Sequence, residues 1–143
     1  MKYIGIKFVN AEPMTAEVVE KKGYRVSNNK CDGYEVTYED GYKSWCPKDV
    51  FEKHNFIIKN EELAKTCEGM MSPDYKERFK AEYIQLKDRL EGLKRMLDAW
   101  DNGTLAFTPT CPRDLYDVQE SAMRMYLDVL KRRATIEEVE LNN

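Results

Sequence analysis

Between residues 79 and 100 the apolar positions keep an unbroken 4-3-4-3-4-3 spacing: Phe79, Tyr83, Leu86, Leu90, Leu93, Leu97 and Trp100. That is the a/d period of three heptads, which sets one face of a helix against another helix. Ser72-Pro73-Asp74 reads as its start, with Ser72 capping, Pro73 at the first helical position and Asp74 at the positive dipole end. Asn102-Gly103 reads as its stop. The helix is predicted from Pro73 to Asp101, about 43 Å long. A second helix is predicted after Thr108-Pro109-Thr110-Cys111-Pro112. Its main stripe is Leu115, Val118, Ala122, Met125, Val129, Ile136 and Val139, and it fades near Leu141. Helix, short loop, helix makes residues 72–143 an antiparallel hairpin.

Upstream the period changes from helical to alternating. Lys2 to Val9 alternates in part, Tyr34 to Tyr38 more cleanly, and Tyr42 to Trp45 resumes after Glu39-Asp40-Gly41. Asp-Gly between two such runs is a hairpin signal, because glycine accepts the positive φ of the turn. Gly23 and Asn28-Asn29 mark further turns, and Pro47 opens a helical turn through Val50 and Phe51. Residues 1–56 therefore read as a small β-rich module, marginal in size for a core of its own. Residues 57–71, with few periodic apolar positions, read as a linker. The expected fold class is α+β: a small antiparallel β module followed by a long antiparallel α-helical hairpin that oligomerises.

Oligomerisation is expected because two helices share one seam, and the other flanks of these two are not polar enough for water. Tyr75, Ile84 and Met96 lie off the first stripe; Tyr116, Met123, Tyr126, Leu127 and Leu130 lie off the second. Each large apolar side chain left exposed forfeits roughly 1.5–3 kcal/mol.

Charge narrows the function classes. The formal net charge is -3, which argues against a general binder of duplex nucleic acid, whose footprint is strongly basic. Residues 1–56 hold 9 basic and 9 acidic residues, so the rest of the chain carries the excess. Cys31, Cys46, Cys67 and Cys111 include no C-x-x-C pair and the one histidine is His54, a poor set for a metal site. No cofactor is expected. Neither a leader's apolar stretch after Met1 nor an 18-residue apolar run is visible, so a cytosolic protein with free thiols and no membrane partner is expected.

No catalytic constellation emerges. A Cys–His or Ser-His-Asp nucleophile would have to use His54, and no glycine elbow flanks any cysteine. Glu61-Glu62 and Glu137-Glu138 diverge on a helix and read as surface charge, and Gly5, Gly23, Gly33 and Gly41 are isolated turn residues without a phosphate loop. A non-enzymatic chain is expected. Binding chemistry is better represented: Lys80, Lys87, Arg89, Lys94 and Arg95 on the first helix, and Arg124 with Lys131-Arg132-Arg133 on the second. The last three also complement the negative dipole end of their helix. Around an oligomer axis one arginine becomes a ring of guanidinium groups suited to phosphate. With aromatic rings nearby, such cations hold nucleobase and phosphate together without a basic protein overall.

The segment Asp74–Leu141, with Phe-Thr-Pro-Thr-Cys-Pro at 107–112, Gln119-Glu120-Ser121-Ala122-Met123, Tyr126 and Arg133, resembles the helical-hairpin family of phage anti-CBASS sponges. The resemblance covers about half the chain and implies a hexamer that sequesters cyclic oligonucleotide immune signals. It also implies that Phe79 stacks on a base, that Lys94 contacts phosphate and that Gly92 permits close approach. Phe79 stands where the family has tyrosine, and so lacks a hydroxyl. Arg133 is added as a phosphate contact at a symmetry axis on its chemistry alone. Lys2-Tyr3-Ile4-Gly5 together with Asp40-Gly41-Tyr42-Lys43-Ser44-Trp45-Cys46-Pro47-Lys48-Asp49-Val50-Phe51 is similar to a module of phage and prophage proteins with no established role.

Two functions are therefore expected from different classes. One is a phage anti-defence protein in the host cytoplasm that binds a cyclic nucleotide signal, of CBASS or Thoeris type, without cleaving it. The other is a non-catalytic interaction module in which Tyr34, Tyr38, Tyr42 and Trp45 grip a host or virion protein.

Overall fold

The computed structural model describes residue 1, residues 6–24 and residues 31–141. The chain divides into two compact units, Met1–Lys59 and Asn60–Asn143.

The first unit is a three-stranded antiparallel sheet, with β1 (Asn10–Met14), β2 (Gly33–Thr37) and β3 (Lys43–Pro47) in that order. Helix α1 (Ala16–Lys21) follows β1, and α2 (Lys48–His54) follows β3 directly. Pro13 is accommodated because β1 is an edge strand. The expected β2–β3 hairpin forms: Gly41 adopts φ +81°, Gly41 N donates to Tyr38 O and Tyr42 N donates to Asp40 Oδ1. Gly33 is required by packing, since a Cβ there would sit 2.3 Å from the Cys46 carbonyl oxygen.

The expected strand over Lys2 to Val9 falls only partly on described residues. Residues 2–5 lie outside the described residues, and residues 6–9 form no strand. Pairing begins at Asn10 because Asn10 faces Thr37, the last residue of β2 before the turn. The expected turn at Asn28-Asn29 lies outside the described residues, whereas Gly23 does turn, at φ +78°. Pro47 precedes α2 as its N-cap residue instead of occupying the first helical position.

The second unit is helical. The segment that reads as a linker contains an eleven-residue helix, α3 (Glu61–Met71), whose cap Asn60 accepts from Leu63 N. Few large apolar residues mark this helix because it meets its neighbour through small ones. A Cβ on Gly69 would lie 3.0 Å from Ala81 Cβ, and the buried Thr66 accepts a hydrogen bond from Gln85. Helix α4 (Tyr75–Asp101) starts two residues later than expected, with Asp74 rather than Ser72 capping it through Lys76 N. Helix α5 (Arg113–Ile136) ends before the expected fade near Leu141. Glu138 takes φ +51°, and Val139 turns back to donate its N–H to Ala134 O and bury its side chain.

The α4 stripe faces inward as expected, with Phe79, Tyr83, Leu90 and Leu97 buried. The α5 stripe does not. Its core side is Met123, Leu127 and Leu130, which read as off-stripe in the sequence, together with Ala134, and Leu130 is fully buried. Leu115, Val118, Ala122, Met125, Val129 and Ile136 face water; Val118, Met125 and Ile136 are 65, 69 and 81% exposed. Helix α5 carries two apolar stripes with the same period, and the one that ends in the small Ala134 shares a core cluster with Phe79 and Val139.

Candidate functional site

Along the first half of α4 a polar stripe runs beside the buried one. Arg78, Glu82, Gln85 and Arg89 repeat the 4-3-4 spacing one residue away from Phe79, Tyr83, Leu86 and Leu90, so they share one edge of the helix. Arg133 of α5 reaches the same edge, and Met70 and Tyr75 close one end. Together these residues line an open groove of about 550 Å³.

Three guanidinium groups and one carboxylate line this groove. Arg78 Nη1 donates to the carbonyls of Ser72 (2.6 Å) and Pro73 (2.8 Å), which ties it to the chain between α3 and α4. Arg133 lies with its guanidinium carbon 4.9 Å from the centre of the Phe79 ring, and its Nε donates to Glu137 Oε1 at 2.9 Å. Glu82 is occupied by the Tyr126 hydroxyl, which donates to it. With Glu82 engaged and the arginines holding spare N–H groups, the groove is suited to an anion with a flat apolar part.

A second cavity, of about 450 Å³, lies between α3, α4 and Leu141. Its charged groups are Glu62, Glu68 and Glu77 against Lys65 and Lys80, and Lys80 is already paired with Glu77 at 2.9 Å, which raises the lysine pKa. An acidic excess disfavours phosphate there.

Of the four residues expected to bind ligand, the structure brings two together: Phe79 and Arg133. Phe79 is only 4% exposed and belongs to the core. Gly92 and Lys94 lie further along α4, outside the lining of the groove; Lys94 is exposed, and a Cβ on Gly92 would meet nothing closer than Arg95 Nη2 at 3.8 Å. Arg78 is a groove residue the sequence reading missed, and its signal was the polar stripe flanking the heptad.

In the first unit the polar chemistry is internal. Glu35, 5% exposed on the central strand, accepts from Lys22 Nζ (2.9 Å) and the Tyr24 hydroxyl (2.7 Å), with Lys43 Nζ at 3.4 Å. Hydrogen bonds from Lys22 and Tyr24 outweigh desolvation and bring its pKa from 4.5 down to about 2. Tyr34 stacks on Phe51 with ring centres 4.4 Å apart and donates to Glu52, while Tyr42 is exposed. Burial, then Asp49, pushes the Cys46 thiol pKa up, the opposite of an activated nucleophile. Among the described residues no three His, Cys, Asp or Glu side chains gather as metal ligands, and no helix is long and apolar enough to cross a membrane.

No curated protein and no solved structure matches the chain. A family model does: residues 73–136, which span α4, the connecting loop and α5, match the family described as Sequestin. The helical part is thus similar to a family whose name denotes sequestration, which fits a protein that binds without turning its ligand over.

Proposed function

We propose that this chain is a phage anti-defence protein that binds and sequesters a host cyclic nucleotide immune signal, of CBASS-type cyclic oligonucleotide or Thoeris-type cyclic ADP-ribose chemistry, without cleaving it. The observation that carries the reading is Arg133 lying over Phe79 in an arginine-lined groove, within the segment that matches the Sequestin family. A nucleobase takes the place of the guanidinium on the ring, and the displaced Arg133 turns to a phosphate. Magnitudes favour the exchange: an exposed cation–π contact is worth about 0.5–1 kcal/mol, against about 1–3 kcal/mol for stacking a base. The charge-assisted hydrogen bonds to phosphate add to that difference.

Sequestration needs tight sites. A dissociation constant near 1 nM corresponds to about -12 kcal/mol, more than an open groove on one protomer supplies, so the site is completed between copies of a homo-oligomer. The resemblance favours a hexamer, with Lys94 and Gly92 meeting the ligand from a neighbouring copy. The setting is the host cytoplasm.

The test is incubation of the protein with cyclic di- and trinucleotides and with cyclic ADP-ribose. Heating then recovers the ligand, and its mass is measured. The expected result is intact ligand and a thermal shift, since ligand at a hundred times the dissociation constant stabilises by about 2.7 kcal/mol. Cleaved ligand would replace sequestration with catalysis; no recovered ligand and no shift would abandon the reading.

One observation favours the interaction module instead. Tyr42 is 64% exposed, and Phe56 and Ile57 are 86 and 89% exposed, so the first unit offers apolar surface. Pull-down from host lysate with Tyr42→Ala and Trp45→Ala as controls separates the two readings.

A further inference from the structure

We propose that the outward stripe of α5 is the seam of an antiparallel pairing with α5 of a second copy, in which Arg132 of each copy meets Asp114 of the other. The pairing rests on the self-association proposed above and adds the face, the direction and the register.

Leu115, Val118, Ala122, Met125, Val129 and Ile136 repeat at 3-4-3-4 spacing, broken at one seam position by Arg132. All seven residues are exposed. A stripe of this kind along a helix about 36 Å long is the seam of a coiled coil with its partner missing. Partly buried apolar patches are ordinary on protein surfaces, but a heptad register over the length of a helix is not.

Charge sets the direction. The first half of α5 keeps a net acidic excess, with Asp114 standing beside the Arg113–Asp117 and Arg124–Glu120 pairs, and the second half a basic one, with Lys131, Arg132 and Arg133 against Asp128. A parallel pair would set Arg132 directly across from its own copy in the seam, two cations in a drying interface with no acceptor. An antiparallel pair sets the basic end of each helix against the acidic end of the other and opposes the two helix dipoles. Asp114 is exposed at that acidic end, where among the described residues its carboxylate accepts from Leu115 N alone.

The register follows from overlap. Antiparallel seams match an a position with a d position of the opposite helix. Matching Ala122 with Met125 uses the whole stripe: Val118 meets Val129, Leu115 meets the stem of Arg132, and Cys111 meets Ile136. Sliding by one heptad either way loses layers and moves Arg132 off Asp114. The same register brings the start of the second copy's α5 beside Arg133, which borders the groove, so the neighbouring copy shapes its mouth.

Disulfide trapping in the full-length chain tests this, with the wild type as background for the native thiols. Val118 and Val129 are eleven residues apart, about 16 Å along a helix, well beyond the reach of a disulfide. Mixing V118C with V129C protein should give cross-linked heterodimers, while V118C alone should give none above background. In parallel, R132E and D114R should each raise the dissociation constant of the pair about tenfold, and the double variant should recover most of the loss. Efficient trapping of V118C with itself would overturn the direction. An oligomer with no trapping in any combination would overturn the seam while leaving self-association and ligand binding intact. A monomer whose seam is covered by residues 1–59 would overturn the seam and the self-association together.

Discussion

Two residues show how a single side chain ties the fold to its chemistry. Glu35 is held ionised by Lys22 and Tyr24, so its folded pKa, about 2, lies below its ordinary 4.5. A group with a depressed pKa stabilises the fold fully above the unfolded value and loses that contribution as pH falls through the folded one. The first unit should therefore weaken between about pH 4.5 and pH 2. Amide exchange of β2 followed across that window reads it, and Glu35→Gln should flatten the dependence. Arg133 is the corresponding residue in the second unit. Replacing it with alanine removes a charge-assisted contact worth roughly 1.5–3 kcal/mol, so titration calorimetry should show ligand affinity lower by about tenfold to a hundredfold, with little change in melting temperature. Lys94→Ala should weaken binding only if a second copy carries it to the ligand, because within one protomer it lies outside the groove. Phe79 and Arg133 were legible as aromatic and cation, but their contact was not. They are far apart in sequence, and only the packing of α5 on α4 brings the guanidinium over the ring.

At the scale of elements, the two stripes of α5 make opposite predictions. Leu130→Ala opens a cavity in a fully buried position and should cost about 2–5 kcal/mol, measured by chemical denaturation. Leu115→Ala, on the outward stripe, should leave the stability of the protomer within about 0.5 kcal/mol. The reverse order would mean that the sequence reading of α5, and not the packed one, describes the molecule in solution. Helix α3 gives a second case. Gly69 falls in the stretch that reads as a linker, yet it lies inside a helix where its missing Cβ lets α3 approach Ala81. Gly69→Leu should destabilise by about 1–3 kcal/mol through overpacking, outweighing the gain of about 1 kcal/mol from removing a helical glycine. Contact through small residues leaves little hydrophobic periodicity, which is why the eleven residues of α3 do not announce a helix in the sequence.

For the whole molecule, the outward stripe of α5 makes assembly a measurable expectation. Light scattering should give a mass that is a multiple of 16.8 kDa, with a melting temperature that rises with protein concentration. Val118→Asp should return the chain to a monomer without unfolding it, since Val118 is 65% exposed in the protomer. Ligand affinity should fall along with the assembly.

Local pattern alone determined the elements with strong periodicity or turn chemistry: the alternating strands around Asp40-Gly41, the heptad of α4, the second helix after Pro112 and hence the α+β class. These follow from interactions between residues a few positions apart, which a sequence displays directly. Tertiary structure decided which of two equivalent stripes of α5 is core, turned a weakly patterned stretch into α3, began the first described strand at Asn10 and gathered Arg78, Arg89 and Arg133 around Phe79. Each of those outcomes depends on a distant neighbour: the cluster that gathers Leu130 and Ala134 with Phe79, the Ala81 surface that admits Gly69, the end of β2 that faces Asn10. Steric fit between remote segments is a property of pairs, and no periodicity within one segment encodes it.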